Sequence, residues 1–174
     1  MAEQPGTTTA TDSRDVLLGI YLNDHLAGAT GGLELARRTA GAHQGTEAAA
    51  TVSRLAKEIQ EDREALLELM ASLQVPVRQY KVYSAWVAEK VGRLKLNGRL
   101  RERSPMSSLV ELETLRLGVE GKACLWRTLL LVAKDEPRLD ASQLHELLDR
   151  TTSQLETVES LRIKASAEAF TTSA

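Results

Sequence analysis

The sequence predicts an all-α fold, a bundle of four long helices, and three observations lead there. Apolar residues recur at helical spacing through nearly all of the 174 residues, and no convincing strand-like alternation appears. Alanine, leucine, glutamate and arginine dominate, while aromatic residues make up only 3%. The four prolines, Pro5, Pro76, Pro105 and Pro137, all fall between periodic segments rather than inside them. A chain of this length is large enough for one domain with a substantial core.

Residues 1–13 are small and polar, with no apolar run of the kind a secretory signal needs, and are expected to form a disordered tail. The first helix is expected over 14–42. Gly45 breaks the chain, and Thr46 is the expected cap of a second helix over 46–73. Ser104 followed by Pro105 reads as a cap and first-turn proline for a third helix, 106–134. Asp140, with Gln143 three residues on, reads as a variant capping box opening a fourth helix, 141–169. Residues 170–174 form a short C-terminal tail. The expected domain is therefore 14–169.

The helices are matched in length, about 42 Å each at a rise of ~1.5 Å per residue. The first and second, and the third and fourth, are joined by short turns and should form antiparallel hairpins. Segment 74–104 is far longer than a hairpin needs and can run the length of the bundle. The second and third helices should therefore be parallel, joined by a long crossover. Val77, Tyr80, Tyr83 (or Ser84), Val87, Val91 and Leu94 give that crossover an expected short fifth helix near 77–94. One long crossover between the second and third helices is the connectivity of ferritin-like four-helix bundles.

The second helix carries the most informative stripe. Val52, Leu55, Ile59, Asp62, Leu66, Leu69 and Leu73 alternate three- and four-residue steps on one face. Asp62 alone is charged, and a carboxylate in a core stripe requires a partner. On the third helix, Leu109, Leu112, Arg116, Val119, Ala123, Trp126, Leu130 and Ala133 form a stripe interrupted by Arg116 and flanked by Glu113 and Glu120. The fourth helix places Thr151 among Leu144, Leu148, Leu155 and Val158. The first offers Asp24 and His25. Aligned by depth, Asp24, His25, Asp62, Arg116, Glu120 and Thr151 are candidates for a buried polar layer or ligand site. The expected pairs are Asp62 with Arg116 or His25, and Asp24 with Thr151.

With these passages in view, including Tyr21-Leu22-Asn23-Asp24-His25-Leu26 and Glu61-Asp62-Arg63, the chain resembles the ferritin-like superfamily over 14–169. More narrowly, it resembles small uncharacterised ferritin-like proteins of high-GC actinobacteria. Di-iron members of the superfamily use Glu-x-x-His on two helices. Here the residues three places before His25, His43 and His145 are Leu22, Ala40 and Ser142, so that motif is missing. The expectation is a non-catalytic structural, interaction or stress-associated bundle with no metal cofactor. The alternative is a divergent iron- or manganese-binding protein or oxidase using Asp24, Asp62, Glu113 and Glu120.

Gly28, Gly31 and Gly32 lie within the first helix, where each glycine costs up to ~1 kcal/mol relative to alanine. Close helix approach is the expected reason; a kink opening a cavity beside Asp24, or a dimer contact, is the alternative. Gly118-Val119-Glu120-Gly121-Lys122 lacks the spacing and the preceding strand of a phosphate loop. Cys124, the single cysteine, excludes an internal disulfide and is expected to be a buried, inert thiol. The crossover sets eight basic residues against Glu89 and Glu102, a balance of +6 in a chain of net charge -2. This patch makes an anion-binding adaptor a third reading, although nucleic acid is not the expected partner. No membrane span is expected, the location should be cytoplasmic, and a homodimer through the first two helices is possible.

Overall fold

The computed structural model describes residues 10–46, 48–78 and 105–171. Four α-helices account for most of them: α1 Ala10–Ala42, α2 Ala49–Ser72, α3 Pro105–Val132 and α4 Ala141–Phe170. Among the described residues there is no strand, and no helix is long and apolar enough to cross a membrane. The expected fifth helix and the basic aromatic crossover lie almost wholly outside the described residues. Those that are described, Gln74 to Arg78, are not helical.

Three stacked core clusters establish how the helices run. Leu22 and Leu26 of α1 meet Leu66, Leu69 and Met70 of α2, Leu125, Trp126 and Leu129 of α3, and Leu144 and Leu147 of α4. Deeper in, Leu33 and Ala36 meet Leu55 and Ile59, Leu115 and Val119, and Val158. At the far end Val52, Leu109, Leu112, Leu161 and Ala165 pack together. The early part of α1 is thus level with the late parts of α2 and α3 and the early part of α4. Helices α2 and α3 run in the same direction, opposite to α1 and α4.

Boundaries follow local chemistry. α4 starts where Asp140 was expected to cap it, its carboxylate accepting from the Ser142 N–H at 2.8 Å. Thr46, in contrast, does not cap α2. Its hydroxyl donates to the His43 carbonyl at 2.7 Å, so the helix starts at Ala49 after Ala48, with no side-chain cap. The glycine before it, Gly45, has φ +84, a conformation that favours glycine. α1 begins four residues earlier than the apolar stripe marks.

The α2 C-terminus closes with Gln74 at φ 58. The N–H groups of Gln74 and Val75 reach back to the carbonyls of Ala71 and Met70, at 3.0 and 2.9 Å. Buried Asn23 then holds the departing chain, donating to the Pro76 carbonyl at 3.1 Å and accepting from the Arg78 N–H at 2.7 Å.

At the same end, Arg138 in the α3–α4 turn donates to the Leu73 carbonyl at 3.3 Å and to both oxygens of Glu136 at 2.7 Å. Hydrogen bonding from Arg138 holds the Glu136 carboxyl down to about 2. Because that folded-state pKa lies below the ordinary 4.5, the stabilisation is present above 4.5 and is lost as pH falls towards 2. Glu136→Gln should therefore lower the melting temperature slightly at pH 7, and the gap to wild type should close in melts run down to pH 2.

Candidate site: a mid-bundle ion-pair layer under a glycine-lined cavity

Every helix contributes a heptad stripe to the core, and three stripes carry a polar residue at one depth. In α2 the odd member is Asp62. In α3 the stripe runs Leu112, Leu115, Val119, Lys122, Trp126, Leu129, and the odd member is Lys122. In α4 it runs Leu144, Leu147, Thr151, Gln154, Val158, Leu161, with Thr151 and Gln154 both buried. α1 supplies only Ala29 at this level, between Leu26 and Leu33.

Asp62 is 1% exposed and accepts from all sides. Its Oδ1 takes the Nε–H of Arg150 at 2.7 Å, and a second nitrogen of the same guanidinium lies 2.5 Å from it. Its Oδ2 takes the Gln154 amide at 3.0 Å and the Lys122 ammonium. The Gln154 carbonyl accepts from Lys122 in turn. Three donors and the second guanidinium nitrogen thus surround a carboxylate that offers about four lone-pair positions. Burial pushes the Lys122 pKa below its usual value, against the opposing pull of Asp62. One turn away, the Trp126 indole N–H donates to the Thr151 hydroxyl at 3.1 Å, and that hydroxyl donates to the Leu147 carbonyl at 2.7 Å.

Above this layer lies a cavity of about 470 Å³ between α1, α2 and α3. Its floor includes Ile59, Asp62, Leu66, Lys122 and Trp126, and its mouth is rimmed by the exposed residues Asp24, Gly28, Thr114 and Gly118. Four glycines line it: Gly28 and Gly32 on α1, Gly118 and Gly121 on α3. A Cβ built on any of the four meets nothing within 4 Å. Close helix approach, the expected reason for Gly28 and Gly32, is therefore not what these glycines serve; they leave space. His25 also lines the cavity, its ring edge-on to Tyr21 with centroids 4.5 Å apart. Burial lowers the His25 pKa, with the Asp24 carboxylate opposing.

The structure separates the residues expected to form the polar layer. Asp62 and Thr151 are in it, though not with the expected partners. Arg116 turns outward to Glu159, with Nε 3.0 Å from Oε2, and takes no part. Asp24 is exposed at the cavity mouth, so Thr151 pairs with Trp126 instead. Glu120 pairs at the surface with Arg127 at 3.4 Å, and Glu113 is exposed. Cys124, expected to be buried, is exposed, because it lies off the α3 stripe.

The alternative metal set, Asp24, Asp62, Glu113 and Glu120, fits the site poorly. Asp62 already accepts from two cations and an amide, so a metal ion would have to displace positive charge to reach it. Among the described residues no three of His, Cys, Asp and Glu are grouped so as to hold a metal ion. Comparison with protein-family models, with curated proteins and with solved structures gave no match.

Proposed function

We propose that this protein is a non-catalytic small-molecule-binding bundle, a ferritin-like scaffold in which an internal ion pair stands where a metal centre would be. The observation that carries the reading is the set of four helical glycines around one cavity. Each is less favourable than alanine by up to ~1 kcal/mol, and none is required by packing. Volume retained against helix propensity is what a binding protein needs and what a purely structural bundle does not. The cavity size falls within the ~300–1,000 Å³ range of ligand sites, and its lining mixes apolar walls with a few polar groups. A cytoplasmic carrier or sensor agrees with this arrangement, and exposed Val16, Leu17 and Ile20 give α1 a surface for a second copy of the chain.

The test is saturable uptake of a neutral bicyclic hydrocarbon such as ethylnaphthalene. One equivalent should bind wild type, and Gly118→Leu, which obstructs the mouth of the cavity, should lose it. Equal uptake by both proteins would refute the reading. Metal analysis of protein from iron- or manganese-supplemented cells separates the alternative: stoichiometric metal that Asp62→Ala abolishes would establish a metal protein.

A further inference from the structure

We propose that the cavity takes a compact, neutral, mainly apolar molecule bearing one carbonyl-type acceptor, seated on the Lys122 ammonium. This deepens the binding reading above and rests on it.

The walls set the body of the ligand. Ile59, Leu66, Leu115, Val119, Leu125 and Trp126 are buried and face the cavity, so an occupant must be apolar over most of its surface. A volume of about 470 Å³ admits a fused-ring or branched molecule and is small for a phospholipid, while the apolar walls disfavour a nucleotide.

Charge balance makes the ligand neutral. Two carboxylates, Asp24 and Asp62, and two cations, Arg63 and Lys122, line the cavity, and the further cation on Asp62, Arg150, is offset by Glu61 at 3.8 Å. Burial disfavours the protonated form of His25 beside them. A charged ligand would add an uncompensated charge to a partly desolvated site. A carboxylate on Lys122 would share its ammonium with Asp62 Oδ2 and bring two like charges together.

The remaining donor chooses the head group. An ammonium has three N–H bonds, and among the described residues Asp62 and Gln154 accept two from Lys122. The side chain is 12% exposed and lines the cavity, so its third donor is the one an occupant can take up. Three other donors of the lining are engaged elsewhere. The Tyr21 hydroxyl donates to Thr128 at 3.2 Å, the Trp126 N–H to Thr151, and the Arg63 Nε–H to Thr30 at 3.0 Å. A carbonyl oxygen satisfies a buried donor without bringing in charge.

The experiment compares acetylnaphthalene, ethylnaphthalene and naphthoate, which share a ring system and differ in the head group. Binding is read from the indole N–H resonance of Trp126, assigned with Trp86→Phe. The ketone should bind wild type at least tenfold more tightly than either analogue, and Lys122→Met should reduce it to the level of the hydrocarbon. Should Lys122→Met fail to fold, the comparison on wild type decides alone. Gly118→Leu should lose all three. Ketone and hydrocarbon binding equally would overturn the acceptor assignment and leave the cavity reading standing. Tightest binding by naphthoate would overturn neutrality. Absence of binding by all three, with the Trp126 resonance unmoved, would overturn both this proposal and the cavity reading.

Discussion

Asp62→Ala is expected to lower stability by about 3–5 kcal/mol, the usual consequence of removing one partner from a buried ion pair. The loss comes less from the vanished contacts than from what remains. Lys122, 12% exposed, would keep the Gln154 carbonyl but lose the carboxylate that offsets its desolvation. Arg150 is better placed to adapt, since it is more exposed and lies 3.8 Å from Glu61. Lys122→Met should therefore restore part of what Asp62→Ala loses. Replacing the layer by apolar residues of similar volume, Asp62→Leu with Lys122→Met and Gln154→Leu, is expected to be near neutral, because desolvation cancels much of the Coulomb gain of a buried pair. Urea denaturation of the four proteins checks the series; m-values must agree for the comparison to hold.

Filling the glycines should act in the opposite direction. Gly28→Ala, Gly32→Ala, Gly118→Ala and Gly121→Ala should each raise stability by up to ~1 kcal/mol, because helix propensity improves and the new methyl meets no obstacle. Thermal melts of the single variants check the sign. If close helix approach were the reason for these residues, each alanine would instead destabilise the bundle. The same substitutions should weaken ligand uptake as they consume the cavity, so stability and binding should move apart.

The α2 stripe was fully legible, Asp62 included, because α2 is apolar on one face only. α3 was not. Leucine and valine occur nearly all round it, with Leu117 and Leu131 exposed, so two stripes fit the pattern. Both contain Leu112, Val119 and Trp126; one adds Arg116 and Ala123, the other Leu115, Lys122 and Leu129. The first places Arg116 inside and Lys122 outside; the bundle follows the second. A strict heptad, matched to that of α2, would have selected Lys122, and in α4 Gln154 as well. Gly118, Gly121 and Lys122 do not make a phosphate loop. On a helix, their spacing puts two vacancies and a cation on one face. Helix order and direction were readable because they depend on loop lengths. The cavity was not, because empty space depends on where two helices face each other.

The central claim is that Asp62 is neutralised by Lys122 from within the bundle. A double-mutant cycle in metal-free buffer, combining Asp62→Ala and Lys122→Met, measures that pairing most directly. Coupling within the ~0.5–3 kcal/mol seen for contacting groups is the result expected. Effects that add to within about 0.5 kcal/mol would contradict it, for they would mean that the two residues act independently.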